Sequence, residues 1–399
     1  MKNSNITVGF IGGGRAAHLH ANALRQIAGV KIRLKTIADI NLRVAEKMAA
    51  QYGFEEYVAD YNEMLKDPEI DVVHICTPPI LHVPMIRNVL ASGKHVVSEK
   101  PLTGYFGEEE DPLPIGTKVS RKKMLEKVLK DLEEIGKILK EHPNQKLFYA
   151  ENYVYAPSVV RAMELIRKKK TKLLLMKGEV SSVRSPFVAT GQWNQTGGGA
   201  LACAGIHVLT TMIWMKKEEA KARGEEIHIE SVLADTGVVS RSLPADQLQY
   251  ITVRPQDVED FSSCIVTFSD GTKAMVIASD TYVGENKNYI EVYGHDASFS
   301  CQICGSRFLK TCFRDEKGIE DEEKPEQSLS FLGGREIEVN DVLLRGFVGE
   351  FQNFVNCILY DQEPISGFPL AYETLVTLYA AYRSAGENQR IWMEDLKRG

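Results

Sequence analysis

The sequence predicts an α/β domain with a doubly wound parallel sheet, followed by an α+β domain with an open, largely antiparallel sheet. Three observations support this fold class. The first 100 residues alternate strand-like and helix-like segments at the spacing of βαβ units. Beyond residue 170, apolar strands succeed one another with few helical patterns between them. The 399 residues provide enough chain for two domains of roughly 100 to 200 residues each.

The strands and helices of the first domain are predicted from apolar periodicity and from glycine or proline stop signals. The predicted strands cover 6–11, 31–38, 71–76, 95–98 and 146–150. The predicted helices cover 16–27, 41–52, 84–91 and 121–141. The stretch 103–120 contains glycines, prolines and an acidic run, so we predict a long loop insertion there. We place the first domain at 1–150.

The second domain, at 151–399, is predicted to begin with a connecting helix and to continue mainly as strands. The helix covers 157–170, and the strands cover 173–180, 264–268, 273–279 and 289–293. Ser269-Asp270-Gly271-Thr272 lies between two of these strands and is typical of a hairpin turn. Helices at 347–360 and 370–385 are predicted to close the chain.

Composition excludes several classes of function. The 54 acidic and 48 basic residues give a net charge of −6, so we expect neither nucleic acid nor a membrane surface as a partner. No apolar run approaches the ~20 residues that cross a bilayer, and a strand-like stretch begins too close to Met1 to leave room for a signal peptide. The 7 cysteines are odd in number and scattered, which predicts reduced thiols and a cytoplasmic location.

A glycine-rich turn follows the first predicted strand. The segment Gly12-Gly13-Gly14-Arg15-Ala16-Ala17 matches the pattern G-x-G-x-x-A and opens the first predicted helix. Glycines allow a tight turn there and let the main chain approach a pyrophosphate, whose charge is stabilised by amides at the helix N-terminus. We therefore predict cofactor contacts from Gly12, Gly14, Arg15 and Ala16.

The residue that ends the second predicted strand favours NAD over NADP. Asp39 lies 25 residues after Gly14, where a carboxylate can hydrogen-bond the ribose diol and repel a 2′-phosphate. Arg43 follows four residues later and keeps NADP open as an alternative, because a guanidinium in reach could bind that phosphate. The other interpretation of Arg43 is a solvated helix position.

Glu99 and Lys100 follow the strand predicted at 95–98. They should lie at the carboxyl edge of the sheet, where doubly wound folds bind ligands and where a lysine would be near the nicotinamide. An amine can take a proton from a substrate hydroxyl at neutral pH when burial or neighbouring cations lower its pKa. Lys100 is therefore the candidate general base.

Five segments occur in one order along the chain. They are the glycine turn, Asp39, Cys76-Thr77-Pro78-Pro79-Ile80-Leu81-His82, the stretch 93–101 that ends in Glu99-Lys100-Pro101, and the stretch 197–207 that runs from three glycines to His207. Together they resemble the Gfo/Idh/MocA family of sugar and cyclitol oxidoreductases. The resemblance is dense over 5–102 and recognisable over 197–207.

The resemblance implies a nicotinamide-binding Rossmann domain, a second domain that supplies the substrate wall and oligomer contacts, and an active site between them. By motif position, Lys100 is the catalytic lysine, Glu99 is its neighbour near the cofactor, and His207 faces the substrate. The matching positions near the nicotinamide are Thr77, Pro78, Pro79 and His82. A carbohydrate or cyclitol substrate and a homo-oligomer, either dimer or tetramer, are implied as well.

The chain departs from the family pattern at two positions. Where the family commonly has aspartates in G-G-G-x-L-x-D-x-G-x-H-x-x-D, this sequence has Cys203 and Thr210. A thiol and a hydroxyl do not supply the charge of two carboxylates. Proton transfer would then rest on Lys100 and His207, with Cys203 retained among the predicted substrate contacts.

Three aromatic residues are further candidates for the substrate side. Tyr153 and Tyr155 lie where the first predicted domain passes into the second, and each could either donate a hydroxyl proton or pack in the core. Trp193 precedes the three glycines and could either stack on a sugar ring or pack. No metal is predicted, because Cys301 and Cys304 would point to opposite faces of a strand.

The predicted function is NAD-dependent oxidation or reduction of a hydroxyl on a sugar, sugar derivative, glycoside or cyclitol. Lys100, assisted by His207, would remove the hydroxyl proton while hydride passes to the nicotinamide. One alternative is redox-neutral glycoside cleavage, in which transient oxidation to a 3-keto sugar acidifies a neighbouring C–H so that a group is eliminated. A second alternative is a non-catalytic NAD-binding sensor or regulatory protein, against which the retention of Lys100 and His207 argues.

Overall fold

A computed structural model of the chain describes residues 5–182, 188–244, 246–248, 251, 254–283, 286–303, 308–319, 333–338 and 345–397. The chain forms two units, each assembled from separate stretches of sequence. The first unit comprises Met1–Gly104, Lys127–Asn152 and Gly346–Glu373. The second unit comprises Tyr105–Glu126, Tyr153–Arg345 and Thr374–Gly399.

Strands and helices alternate along the first part of the chain, and strands dominate the later part. The strands are β1 (Asn5–Ile11), β2 (Lys31–Ala38), β3 (Glu56–Val58), β4 (Val72–Ile75), β5 (His95–Glu99), β6 (Leu147–Ala150), β7 (Leu173–Ser181), β8 (Ile229–Gly237), β9 (Phe261–Phe268), β10 (Lys273–Ser279), β11 (Lys287–Gly294), β12 (Ala297–Gln302), β13 (Phe308–Phe313), β14 (Gly333–Glu338) and β15 (Ile391–Trp392). The helices are α1 (Arg15–Leu24), α2 (Leu42–Tyr52), α3 (Tyr61–Leu65), α4 (His82–Ala91), α5 (Ile115–Lys118), α6 (Arg121–Glu141), α7 (Pro157–Lys169), α8 (Trp193–Thr196), α9 (Ile206–Arg223), α10 (Phe347–Tyr360) and α11 (Phe368–Glu387).

A parallel sheet forms the centre of the first unit. Within the described residues it has six strands in the order β3-β2-β1-β4-β5-β6, and each neighbouring pair is parallel. The strand order reverses between β1 and β4, which is where doubly wound sheets bind ligands beyond the carboxyl ends of their strands. The Rossmann-type fold predicted for the first domain is confirmed.

Helix α2 shows why the predicted helices of the first unit match the observed ones closely. The Asn41 side chain caps α2 by accepting a hydrogen bond from the Arg43 amide. Gly53 ends the helix with φ 82°, a left-handed conformation that glycine adopts without a steric penalty. The 3 residues of β3 and the 5 residues of α3 are too few to show a period, and neither element was predicted.

A distant stretch of sequence completes the first unit. Helix α10 packs on α1, and Phe354 of α10 stacks on Phe148 of β6 with 4.7 Å between ring centroids. The Tyr149 amide donates to the Ser366 carbonyl at 3.0 Å, and the Ser366 hydroxyl donates to the Tyr149 carbonyl at 2.7 Å. Periodicity predicted the helix at 347–360, but local patterns carry no information on its return to the first sheet.

A second sheet lies in the second unit. Within the described residues it has nine strands in the order β14-β13-β12-β11-β7-β10-β9-β8-β15. Strands β7 and β10 are parallel, and the other neighbouring pairs are antiparallel. The predicted open, largely antiparallel sheet is confirmed. The sequence predicted β7, β9, β10 and β11, whereas it missed β8 and the strands from β12 to β15.

Helix α9 was also missed, although it is 18 residues long. Its first turns are buried on nearly every side, including Thr210 and Thr211, so the amphipathic period that identifies a surface helix is absent. The segment Trp193–Arg223 is long and apolar enough to cross a membrane, yet 83% of its most apolar window is buried inside the protein, as in the core helix of a globular domain. Helix α9 packs on β7 and on α7.

The stretch predicted as a loop at 103–120 is mostly irregular and contains the one-turn helix α5. From Tyr105 onward it belongs to the second unit. The Tyr105 amide donates to the Tyr379 hydroxyl at 2.7 Å, and the Gly116 amide donates to the Asp257 carboxylate at 2.9 Å. The insertion is therefore fixed to the body of the second unit at two points.

The buried acid Glu350 on α10 leads to a prediction about stability. Burial beside Glu99 and Glu151 raises the pKa of Glu350 well above its ordinary value of 4.5. Among the described residues, few groups are placed to form hydrogen bonds with its two carboxyl oxygens. A carboxyl that is neutral when folded and ionised when unfolded makes the free energy of unfolding fall as pH rises above about 4.5.

Glu350→Gln removes this titration. We therefore expect its free energy of unfolding to rise relative to that of the wild type as pH increases above 4.5, by up to about 1.4 kcal/mol per pH unit. Denaturant unfolding at a series of pH values measures the gain. Glu46→Gln, at an exposed position of α2, is the control and should show no such trend. A pH-independent difference between Glu350→Gln and the wild type would contradict the prediction.

Candidate functional site

The glycine turn after β1 fits a phosphate group. Gly12 has φ +91°, and a Cβ on it would lie 2.7 Å from the carbonyl oxygen of Cys76, so no larger residue fits. A Cβ on Gly14 would meet nothing within 4 Å, which leaves open space in front of α1. Gly14 is followed at once by α1, whose first amides, beginning at the exposed Arg15, have no acceptor within the helix. Such an amide group binds anions.

Asp39 lies beside this turn. Its Oδ2 accepts a hydrogen bond from the Gly13 amide at 2.8 Å, and its Oδ1 accepts one from the Asn41 amide at 2.8 Å. The carboxylate is thus fixed at the end of β2 and keeps lone pairs for a further donor. Arg43 is exposed on α2.

Ile40 is a residue that the sequence reasoning missed. Its side chain is 96% exposed directly after Asp39, which is unusual for an isoleucine and provides an apolar surface next to the carboxylate. The signal available in the sequence was an apolar residue placed immediately after a strand-ending acid.

The segment after β4 contains both solvent-accessible residues and a buried histidine. Thr77 is half-buried and Pro78 is exposed, as expected for residues that border a ligand. His82, which was predicted near the nicotinamide, is fully buried. Its Nδ1 lies 2.8 Å from the Pro101 carbonyl and its Nε2 lies 3.0 Å from the Thr77 carbonyl. Burial lowers the pKa of His82, whereas the two carbonyls oppose that shift, and the ring lies between the loops that follow β4 and β5.

Lys100 follows β5 and is partly exposed. Its main-chain amide donates to Oε2 of Glu99 at 3.0 Å. The other carboxylate oxygen of Glu99 lies 3.0 Å from Nε2 of His20, a buried residue of α1. The sequence reasoning missed His20, whose only local signal is its place on the helix that follows the glycine turn. The Glu99 side chain therefore points into the protein, where its carboxylate contacts both His20 and the Lys100 main-chain amide.

In the second unit, a π-helical turn at Leu201–Gly205 runs directly into α9. His207 lies in the first turn of α9 and is partly exposed. Tyr153 stacks on the His207 imidazole, with 4.5 Å between ring centroids and 18° between the ring planes. Single π-helical turns occur often at functional sites. The structure thus brings together Tyr153 and His207, two of the predicted substrate-side residues.

The two residues that replace aspartates have different environments. The Cys203 thiol is partly exposed in the π-helical turn and lies 3.6 Å from the Gly198 carbonyl. Thr210 is fully buried, and its hydroxyl donates to the Ile206 carbonyl of the preceding helical turn at 2.8 Å. Only Cys203 can therefore reach a ligand.

The glycine-rich stretch before α9 is fixed by a buried carboxylate that the sequence did not reveal. Glu259 accepts hydrogen bonds from the amides of Gly199 and Leu201 at 2.9 and 3.0 Å and from the Tyr382 hydroxyl at 2.8 Å. Burial raises the pKa of Glu259, and these three donors oppose that shift. A Cβ on Gly199 would lie 1.9 Å from the Glu259 carbonyl oxygen, so glycine is required there.

Trp193 is not a sugar-stacking residue in this structure. Its side chain is fully buried, with the Arg121 guanidinium 3.9 Å from the ring centroid and the Tyr382 ring 4.9 Å away. The packing interpretation of Trp193 therefore holds. Tyr155 and Tyr153 are also buried, at 6% and 4% exposure, so burial does not separate these two candidates.

The carboxyl ends of β1, β2, β4 and β5 gather the glycine turn, Asp39, Thr77 and Lys100 at one edge of the first sheet. Tyr153, Cys203 and His207 lie in the second unit. No group of three or more His, Cys, Asp or Glu side chains among the described residues is arranged to hold a metal ion. Cys301 is buried, and Cys304 lies outside the described residues.

Two family models match the chain. One describes the oxidoreductase family with an NAD-binding Rossmann fold and matches residues 6–111. The other describes the GFO/IDH/MocA C-terminal domain and matches residues 161–300. The two matches fall on the two kinds of sheet described above.

Named relatives agree with these models. Levoglucosan dehydrogenase of Pseudarthrobacter phenanthrenivorans is 27% identical over 317 residues, which cover 74% of this chain and 73% of that protein. The NAD⁺-dependent scyllo-inositol 2-dehydrogenase of Bacillus subtilis is 38% identical over 94 residues, or 23% of this chain and 27% of that protein.

A solved structure shows the same fold over nearly the whole chain. A levoglucosan dehydrogenase in complex with NADH has a TM-score of 0.76 at 21% identity and covers 97% of this chain and 99% of its own. This likeness shows the fold, and the two family models give the family. The chain belongs to the Gfo/Idh/MocA oxidoreductases, and its first domain is the NAD-binding Rossmann domain of that family.

Proposed function

We propose that this protein is an NAD-dependent dehydrogenase that acts on a hydroxyl of a sugar, a sugar derivative or a cyclitol. The observation that carries the proposal is the position of Lys100, supported by Glu99 at the same sheet edge as the glycine turn and Asp39. The relatives named for levoglucosan and scyllo-inositol support a polyhydroxylated substrate.

The residues of the first unit fit NAD. The open space at Gly14 and the free amides of α1 would hold the pyrophosphate, and the fixed Asp39 carboxylate would accept hydrogen bonds from a ribose diol. Ile40 would give the adenine an apolar surface. Bound NAD supplies a hydride acceptor or donor at the nicotinamide.

The protein's own residues would handle the substrate proton. In the oxidative direction, the unprotonated amine of Lys100 accepts the proton of the reacting hydroxyl. In the reductive direction, its ammonium returns that proton. The His207 imidazole would orient the substrate by a hydrogen bond. Tyr153 restricts the orientation of that imidazole by stacking on it, and its hydroxyl is the second candidate for proton transfer.

A substrate panel separates this function from its rivals. Purified protein is incubated with hexoses, uronates, glycosides and inositols, and the absorbance of reduced nicotinamide is followed. Accumulation of NADH supports a dehydrogenase. Cleavage of a glycoside without net NADH indicates the redox-neutral reaction through a 3-keto sugar, and NAD binding with no turnover indicates a sensor. The homo-oligomer and the cytoplasmic location stay predictions from the sequence.

The first functional prediction concerns cofactor choice. We expect NAD⁺ to bind at least ~10-fold more tightly than NADP⁺, because a phosphate next to the Asp39 carboxylate costs more than ~1.4 kcal/mol in a partly buried site. The nearly isosteric Asp39→Asn removes the charge and should reduce the preference. Calorimetry with both dinucleotides measures it. If Arg43→Ala instead lowers NADP⁺ affinity selectively, Arg43 binds the 2′-phosphate and the assignment of Asp39 is wrong.

The second prediction concerns proton transfer. Lys100→Ala should lower kcat by ~100-fold or more while NAD⁺ still binds, and Lys100→Met tests charge against bulk. His207→Ala should also lower kcat. If the two side chains act on one substrate, the double variant should lose less than the product of the single losses. Lys47→Ala, at an exposed position of α2, is the control. Full activity of Lys100→Ala would refute the assignment.

The third prediction uses the partly exposed position of Cys203. Cys203→Asp restores the carboxylate that the family commonly has there, whereas Cys203→Asn has the same shape without the charge. We expect the acid limb of the pH–kcat profile to move to higher pH only in Cys203→Asp, because a nearby carboxylate stabilises protonated neighbours. The same profile in both variants would show that position 203 has no part in the proton chemistry.

A further inference from the structure

A chain of buried polar side chains lies behind Lys100 in the first unit. Oε2 of Glu99 accepts the Lys100 amide at 3.0 Å, and Oε1 of Glu99 lies 3.0 Å from Nε2 of His20. The other ring nitrogen of His20, Nδ1, lies 3.0 Å from Nδ1 of His74 on β4. His20 and His74 are both buried, whereas Glu99 and Lys100 are partly exposed.

The direction of each hydrogen bond follows from the chemistry of the groups. An ionised carboxylate only accepts, so Nε2 of His20 carries the hydrogen in its bond to Glu99. Nδ1 of a neutral His20 then has no hydrogen and accepts, and the donors within reach are Nδ1–H of His74 at 3.0 Å and the Cys76 thiol at 3.5 Å. Burial next to His20 lowers the pKa of His74 well below its ordinary value, in agreement with a neutral His74 ring. The chain therefore runs from His74 to His20 to Glu99 to the Lys100 main chain.

Packing leaves the two imidazoles little freedom to turn. Phe10 of β1 stacks on His74, with 4.8 Å between centroids and 10° between planes. Phe351 of α10 meets the His20 ring edge-on at 4.6 Å. The other titratable groups around Glu99 and the two imidazoles are Cys76 after β4, Glu151 after β6, Glu350 on α10 and His82 on α4.

We propose that His20 is the positioning residue for Lys100: it holds the Glu99 carboxylate, which in turn holds the Lys100 main chain, and His74 fixes the orientation of the His20 ring. This inference rests on the proposed function of Lys100. Without a donor at the Nε2 position of His20, the Glu99 carboxylate loses its 3.0 Å hydrogen bond to a buried side chain and is held less firmly in its present position. The hydrogen bond from the Lys100 amide to Glu99 is then weakened.

Two amide substitutions separate the two ends of the His20 ring. In His20→Gln, the side-chain amide nitrogen occupies the place of Nε2 and can still donate to Glu99. In His20→Asn, the shorter side chain reaches only the place of Nδ1, where its amide oxygen can accept from His74, and it does not reach Glu99. His20→Ala removes both contacts. His18→Ala is the matched control on α1, because the His18 side chain bonds the Tyr52 hydroxyl at 2.9 Å and takes no part in the chain to Lys100.

The kinetic arm measures kcat and KM on the substrate found in the panel. We expect His20→Asn and His20→Ala to lower kcat by ~10- to 100-fold, with little change in KM or in the Kd of NAD⁺, because a displaced reacting group costs this much. His20→Gln should keep most of the activity, and His18→Ala should match the wild type. Equal losses in His20→Gln and His20→Asn would overturn the proposal, because a general packing defect would not distinguish the two amides.

The second arm needs no substrate. Hydrogen exchange of the Lys100 amide, followed by NMR or by mass spectrometry with residue resolution, should be slow in the wild type, His20→Gln and His18→Ala and faster in His20→Asn and His20→Ala. Unchanged exchange in His20→Asn and His20→Ala would overturn the proposal even if Lys100 proves catalytic. If Lys100 proves not to be catalytic, the exchange pattern still shows whether His20 holds Glu99 against the Lys100 main chain.

Discussion

The approach of Gly12 to the carbonyl oxygen of Cys76 is the constraint on which the candidate site of the first unit depends. β1 and β4 are neighbours at the reversal of strand order, so the chain leaving β1 must turn directly over the end of β4. At 2.7 Å from that oxygen there is no room for a Cβ, and the φ of +91° suits glycine alone. This turn aims the amides of α1 at open space, and the Asp39 carboxylate fixes it through the Gly13 amide.

One carboxylate in each unit, the partly buried Glu99 and the buried Glu259, holds a functional segment. In the first unit, Glu99 connects the buried His20 to the main chain of Lys100. In the second, Glu259 accepts the amides of Gly199 and Leu201 and so fixes the stretch that leads to His207. A buried acid is costly unless donors surround it, and the donors here include main-chain amides of the loops, beside the His20 ring and the Tyr382 hydroxyl. These hydrogen bonds offset the desolvation cost and hold the loops in one conformation.

Local sequence patterns predicted those parts of the fold that are specified locally. β2, α6, β10 and α10 have their predicted bounds, because apolar period, caps and glycine stops lie within the segments themselves. Helix α9 was missed because a helix that is buried over most of its surface has no clear amphipathic period. The sequence also left open whether the side chains of His82 and Trp193 are buried, for a related reason. The type of a residue and its position in the sequence do not reveal whether neighbouring residues cover its side chain completely.

The sequence by itself determined the class of both sheets, the glycine turn, the acid at the end of β2 and the lysine after β5, since each depends on residues close together in the chain. Tertiary structure alone decided which buried partners hold them. His20 reaches Glu99 across 79 positions, Glu259 reaches Leu201 across 58, and α10 returns to the first sheet from the far end of the chain. Hydrogen bonds of this kind depend on the distance between atoms in the folded chain, and no local periodicity encodes that distance.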